Sequence, residues 1–318
     1  MTADTVLIVT ASYDVGADYV LKALQKKRTP AFRLNSDHFP SRIKASFRPP
    51  DDITFSVDGN LISGKSVKSV WYRRHVLPEL PTDLDAGAQD FCERESRAFL
   101  DGVLSALPTK RWMSFPQNIA RAERKPYQLS VASRLGFAVP LTVITNDSTS
   151  VIETSRGHQM VAKAVSSGYV AGPDGNRAIF TNRLKSGDLQ ELEGLALAPV
   201  TFQELVAKVS DIRVTVVEGE VFAAEILSQG RQSSQIDWRA TDDPNLPHRE
   251  HHLSTATTDL CRELVNHLGL TFGAIDLALK QDGTYVFFEI NPNGEWVWLE
   301  DLLGFPISDR IAQWLSTS

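Results

Sequence analysis

Sulfur, basic excess and long apolar runs are all scarce in this chain, and each shortage removes a class of protein. Only two cysteines, Cys92 and Cys261, occur among 318 residues, without metal-ligand spacing and too few for a disulfide framework. Lysine and arginine (33) are outnumbered by aspartate and glutamate (39), leaving a net charge of -6. A chain-wide footprint for nucleic acid or an anionic membrane is therefore missing, although a local basic site is not excluded. No apolar run approaches the ~18 residues of a membrane span. The first residues, Met-Thr-Ala-Asp-Thr, lack a basic region and a small-residue cleavage site before Val6-Leu7-Ile8-Val9, which predicts a cytoplasmic protein. Internal repeats and low-complexity tracts are absent too. What remains is ordinary globular material. Hydrophobic residues make 42% and charged residues 23%, enough to bury a sizeable core in about two domains.

The pattern along the chain predicts an α/β protein. Thr5 to Val9 reads as a buried strand, Ala17 to Lys27 as an amphipathic helix and Ala31 to Leu34 as a second strand, which together begin a parallel layer. Ile53 to Val57 and Leu61 to Ser63 flank Asp58-Gly59-Asn60 as a hairpin. Val67 to Tyr72 is a strand and Phe91 to Leu107 a helix. A second block opens near Asn118, with a helix from Arg124 to Leu135 stopped by Gly136. Short strands and Gly-rich turns follow from Met160, then a helix over Asp188 to Leu195. The last third is rich in strands, at Thr201–Val206, Ile212–Val217, Glu220–Leu227, Phe272–Lys280 and Thr284–Ile290, with one helix at Thr255–Leu268.

Four stretches of the second block carry chemistry. Lys125 opens a helix and Lys163 ends the run Met160-Val161-Ala162-Lys163. The pair suits a triphosphate, because Lys163 precedes Ser166-Ser167-Gly168-Tyr169-Val170-Ala171-Gly172, a loop whose backbone N–H groups can approach phosphate oxygens. A lysine ending a β-run equally snorkels to solvent. Thr201-Phe202-Gln203-Glu204-Leu205-Val206 sets a carboxylate in an apolar strand, which is costly unless it accepts hydrogen bonds. An adenine amino group, with backbone contacts at Leu205-Val206, would satisfy Glu204; an edge strand facing water would do so as well. Asp211 and Arg213 share one face of the strand that follows, where Arg213 fits either a phosphate or a cross-strand ion pair. Lastly, Asp276 lies on one arm of a hairpin turning at Asp282-Gly283, and Glu289 and Asn291 share a face of the other arm. Three hard oxygen donors on adjacent strands suit Mg²⁺ at nucleotide phosphates, whereas two facing carboxylates without a cation would repel.

Taken in order from Lys125 to Asn291, these residues resemble the ATP-grasp superfamily, whose usual elements are two phosphate lysines, a flexible loop, an acidic adenine hinge and an Asp…Glu-x-Asn metal site. Trp71-Tyr72-Arg73-Arg74, Arg124-Lys125-Pro126-Tyr127-Gln128, Thr201-Phe202-Gln203-Glu204, Ile236-Asp237-Trp238-Arg239 and Asn291-Pro292-Asn293-Gly294-Glu295-Trp296 look like its microviridin-type branch, the graspetide synthetases. The resemblance implies an ATP-grasp fold with an N-terminal parallel α/β (pre-ATP-grasp) domain over 1–118, a central lid subdomain over 119–200 and a C-terminal subdomain with the metal site over 201–318. It implies a ligase that uses ATP and Mg²⁺ to form side-chain esters or amides in a ribosomally made precursor peptide, through an acylphosphate. Lys125, Lys163, Gln203, Glu204, Leu205, Val206, Asp211 and Arg213 would hold ATP, and Asp276, Glu289 and Asn291 the metal. Arg213 and Arg239 would act on the transferred phosphoryl group. Asp188, Glu191 and Glu193 would dock the precursor's leader, whose core supplies Glu or Asp and Ser, Thr or Lys; no nucleic acid or membrane partner is implied, and a homodimer is left open. Lys208 and Ser210 stand where an acidic ribose contact would be expected. Two other functions fit the same residues: an ATP-grasp ligase adding a free amino acid such as glutamate to a small molecule or protein C-terminus, and a nucleotide-binding regulator without turnover.

Overall fold

A computed structural model of the chain describes residues 4–317 except 58, 167, 171–176, 186, 232 and 241–245. Its contacts divide it into two units, Met1–Pro116 with Glu295–Ser318, and Gln117–Gly294. In the first, β1 (Thr5–Thr10), α1 (Val15–Lys26) and β2 (Ala31–Asn35) form the expected strand–helix–strand start. An antiparallel sheet follows, of β3 (Ile43–Arg48), β4 (Asp52–Val57) and β5 (Asn60–Ser63), and then β6 (Val67–Tyr72), α2 (Ala86–Ser105) and β7 (Trp112–Met113). The parallel sheet has the order β2-β1-β6-β7. Val6 to Val9 are wholly buried, as expected of a strand covered on both faces. The expected hairpin is β4–β5, with Asp58 of its turn outside the described residues. β3 carries no apolar period to announce it in the sequence, because only Ile43 of that strand is buried. α2 begins at Ala86, ahead of the expected Phe91, because its first turns, capped by Asp85, are mostly exposed and carry no apolar face.

The second unit continues through α3 (Pro116–Ala122) and α4 (Lys125–Leu135) to β8 (Thr142–Thr145), α5 (Ser148–Thr154), β9 (Met160–Lys163), β10 (Tyr169–Val170), β11 (Arg177–Ala178), β12 (Asn182–Arg183) and β13 (Val200–Glu204). Gly136 ends α4 as expected, at φ 101°, a left-handed value that glycine adopts without strain. Four of these strands make one sheet, ordered β12-β9-β13-β8, and β10 and β11 pair as a small hairpin. The expected helix over 188–195 is instead two 3-10 turns, Asp188–Gln190 and Glu193–Leu197. Leu189, Leu192 and Leu195 there pack on a small core of Val151, Met160 and Phe202, while Gly187 and Gly194 interrupt any longer helix.

A larger antiparallel sheet completes this unit: β14 (Ser210–Val217), β15 (Glu220–Ile226), β16 (His248–Glu250), β17 (Phe272–Leu279) and β18 (Tyr285–Asn291), in the order β16-β15-β14-β17-β18, with α6 (Thr255–His267) packed against β14, β15 and β17. Every residue of β14 is buried.

From Glu295 the chain belongs to the first unit again, so the C-terminal segment expected over 201–318 is split. α7 (Val297–Leu303) and α8 (Ile307–Ser316) lie on this tail. Ile307, Ile311 and Leu315 of α8 are buried, and the helix packs against α1 and β6, which gives its apolar stripe a core to cover. Trp296 is fully buried, stacking on the Arg73 guanidinium at 4.5 Å, and Arg73 also donates to Glu295 at 2.8 Å. The two motifs around Arg73 and Trp296 are thereby one packed cluster of this unit.

Candidate active site

The register of the large sheet sets three charged side chains in one row across β14, β17 and β18. Arg213 faces Asp276, and Asp276 faces Glu289. Arg213 donates from Nη1 to Asp276 Oδ1 at 2.8 Å. Arg239, on a 3-10 turn at Trp238–Ala240, reaches in from the β15–β16 connection and donates from Nη1 to Glu289 Oε1 at 3.0 Å and Asp276 Oδ2 at 3.4 Å. Lys125, at the first turn of α4, donates to Glu289 Oε2 at 2.7 Å. Burial alone would raise the Glu289 carboxyl, but Lys125, Arg239 and Lys163 together hold it well below the usual carboxylate range. Arg239 is oriented by Asp237, which accepts from its Nε at 3.0 Å, and the surrounding carboxylates keep its guanidinium charged.

Beside this row lies a cavity of about 370 Å³, within the range of small-ligand pockets. Lys125, Lys163, Gln203, Glu204, Leu205, Val206, Asp211, Arg239, Asp276 and Glu289 line it; Arg213 and Asn291 do not. Lys163 donates to Gln203 Oε1 at 3.0 Å, and burial pushes its ammonium down to about 8. Glu204 ends β13 with its side chain 42% exposed, so the burial cost that singled it out in the sequence does not arise. Asp211 is buried and pairs with Lys208 at 2.7 Å and the Ser228 hydroxyl at 2.6 Å, while burial raises its carboxyl. Of the loop expected near the phosphates, Ser167, Ala171 and Gly172 lie outside the described residues.

The donor set fits a hard cation in part by chemistry and in part by charge. Among the described residues no three His, Cys, Asp or Glu side chains converge into a complete cage. Mg²⁺ does not need one, since it is commonly held by one or two carboxylates plus substrate phosphates. Asp276 and Glu289 supply two adjacent carboxylates that already draw in three cationic side chains. Asn291 is exposed, and its Oδ1 accepts from the Asn293 backbone at 2.9 Å, leaving one lone pair.

Residues 5–120 match the MvdD pre-ATP grasp domain family. A comparison with the curated proteins finds no match. Among solved structures, macrocyclase MdnC of Microcystis aeruginosa MRC, crystallised with precursor peptide MdnA, is 31% identical; the alignment covers 99% of this chain and 100% of that one, with a TM-score of 0.89. The chain belongs to the graspetide-synthetase family of ATP-grasp ligases. Macrocyclase MdnB of the same organism is 32% identical over 99% of this chain and 100% of its own, with a TM-score of 0.83. A RiPP-associated ATP-grasp ligase of Chryseobacterium gregarium, in complex with ADP and a leader and core peptide, is 28% identical over 98% and 96%, with a TM-score of 0.91. Among the described residues no helix is long and apolar enough to cross a membrane.

Three residues of this graspetide synthetase escaped the sequence reading as members of the site. Gln128, one helical turn from Lys125, is 3% exposed and clamps the backbone between Glu289 and Asn291. Its Nε2 donates to Ile290 O at 2.8 Å, and Ile290 N donates to its Oε1 at 3.1 Å. The i, i+3 spacing from Lys125 was the available signal. Phe288 lines the cavity, with the ammonium groups of Lys163 and Lys208 5.9 and 5.7 Å from its ring centroid. Lys208, where an acid was expected, has a side chain only 4% exposed and donates to Asp211 and, at 3.2 Å, to Ile236 O. It thereby ties the hinge to the loop carrying Asp237 and Arg239. Lys208→Met should free that loop, accelerating amide exchange over 235–239 while β14 stays protected; unchanged exchange there would show that Lys208 does not hold it. Gly294 is needed for packing, since a Cβ there would stand 2.3 Å from Ala274 Cβ and 3.0 Å from Arg213 Nη2. Asp188, Glu191 and Glu193 are exposed, and Asp188 accepts from the Lys185 backbone at 2.7 Å.

Proposed function

We propose that the protein joins side chains within a leader-bearing precursor peptide, coupling a Glu or Asp carboxylate to a Ser or Thr hydroxyl or a Lys amine at the expense of ATP. The observation that carries this is the row Arg213–Asp276–Glu289 with Lys125 and Arg239 closing on it at the edge of a nucleotide-sized cavity. The substrate carboxylate attacks the γ-phosphorus, ADP leaves, and an acylphosphate forms. The hydroxyl or amine then attacks the acyl carbon, phosphate departs and one proton is released. Asp276, Glu289 and Asn291 would hold Mg²⁺, which supplies charge neutralisation at the phosphates. Lys125 and Lys163 neutralise the bound triphosphate, and Arg213 and Arg239 the moving phosphoryl group. Gln203, Glu204, Leu205, Val206 and Asp211 form the nucleoside end, with Glu204 accepting from the adenine amino group. The segment 140–200 acts as the lid that keeps water from the acylphosphate. Asp188, Glu191 and Glu193 offer an acidic surface to a basic leader.

The deciding experiment compares ADP release with full-length precursor, leaderless core and free glutamate, with mass spectrometry for loss of one water per bond formed. Turnover and water loss with the full-length precursor, and a steep rise in apparent KM without the leader, are expected. Robust turnover on free glutamate alone would favour single-residue addition instead.

The depressed Lys163 sets a pH dependence. Its ammonium is charged below about 8 and neutral above it in the free protein, so ATP affinity should weaken as pH rises through that value. Isothermal titration across this range should show the decline, and Lys163→Arg should flatten it. A decline that survives the arginine variant would belong to another group.

A further inference from the structure

The first unit holds a second cavity, of about 470 Å³, which the chemistry above does not use. Tyr13 follows β1, Asp37 follows β2 and His75 follows β6, so the cavity opens outside the carboxyl ends of three parallel strands. β1 has β2 on one side and β6 on the other, which makes this the switch point where open α/β sheets take ligands. Leu100 and Phe39 give it an apolar floor, and Leu77, 52% exposed, an apolar rim.

Two carboxylates stand among the polar groups of this cavity. The Asp37 carboxylate is 3% exposed and anchored by the Ser12 backbone N–H at 3.0 Å. Glu79 is exposed at the mouth, with its backbone N–H, not its carboxylate, tied to Asp37 O at 2.8 Å. The His75 side chain is 9% exposed, its Nδ1 held 2.8 Å from the Tyr72 hydroxyl and 3.1 Å from Asp101 Oδ1. Its Nε2 has no hydrogen-bond partner among the described residues. Burial pushes this imidazole down, which keeps it neutral near pH 7. The one cation on the wall, Arg97, is 3.8 Å from Asp101. An apolar floor under two carboxylates suits a long aliphatic stem ending in N–H donors.

We propose that this cavity docks a basic side chain of the substrate peptide, its stem on Leu77 and Leu100 and its charged end toward Glu79 and Asp37. The assignment of a peptide as the ligand rests on the proposed function; the preference for a basic side chain rests on the cavity alone. The test is a nucleotide-free titration of the full-length protein, labelled at Leu and Val methyls, with the N-acetyl, N′-methylamide derivatives of lysine, norleucine and glutamate. The lysine probe should shift the Leu77, Leu100 and Val76 signals with roughly millimolar affinity, as fragments of this size do. Norleucine should bind more weakly, and glutamate should leave these signals unmoved. Glu79→Lys, at an exposed side chain, should weaken the lysine probe about five-fold with an unchanged melting temperature. Equal shifts from norleucine, preference for glutamate, or no shift from lysine up to its solubility limit would each overturn the proposal. Because no ATP is present, a lysine-selective cavity in a protein that forms no crosslinks would defeat the proposed function and leave this site standing.

Discussion

Glu289→Gln should cut precursor-dependent ADP release on the order of 10²–10³-fold, the scale on which removing one preorganised group that stabilises developing charge acts. Glu289 is the carboxylate on which Lys125 and Arg239 both close and toward which Lys163 is attracted. The amide keeps the shape and loses the charge, so both metal affinity and the placement of those cations suffer together. A stability change accompanies it. The Glu289 carboxyl is held below its ordinary value of 4.5, so its contribution to stability is complete above that pH and is lost as pH falls below it. In the wild-type protein the melting temperature should decline on acidification over this range. The variant should be less stable by about 3 kcal/mol at neutral pH, because a partly buried cation loses its partner, and its melting temperature should decline less steeply. Near-normal turnover would overturn the assignment of Glu289 to the phosphate site.

Arg213→Met should be nearly as damaging, for a different reason. The Arg213 side chain is 7% exposed and its Asp276 partner 11%, so the substitution leaves a poorly solvated carboxylate with only Arg239, at 3.4 Å, for compensation. Breaking a buried pair from one side costs roughly 3–5 kcal/mol. Adding Asp276→Asn removes the stranded charge, so the double variant should melt above the single one. Activity should stay lost in both, since neither restores a phosphate contact or a metal ligand. Urea midpoints and ADP release measured on the same three proteins separate the outcomes. Recovery of turnover together with stability would mean that the pair is only structural.

Much of this site could be read from residue types and their two-residue period. Glu289 and Asn291 had to share a face of β18, and a hairpin at Asp282-Gly283 had to bring Asp276 alongside, because alternation and a tight turn are local properties. The same holds for Lys125 at the start of α4 and Gly136 at its end. Strand register is another matter. The choice for Arg213 between a phosphate contact and a cross-strand pair was open until β14 was seen beside β17, with Arg213 opposite Asp276. Glu204 was singled out for a burial it does not have, because an apolar hexapeptide does not reveal where its strand stops.

Local pattern determined the parallel α/β start, the hairpin carrying Asp276 and Glu289, and the order of cations and oxygen donors along the chain. All of these depend on neighbours in sequence. Tertiary structure alone decided that Gln128 clamps Ile290, that Lys208 spans from Asp211 to Ile236, and that the tail from Glu295 returns to the first unit to bury Trp296 and α8. Those contacts join residues far apart along the chain, and a buried polar or apolar group takes whichever partner the packed fold brings within reach.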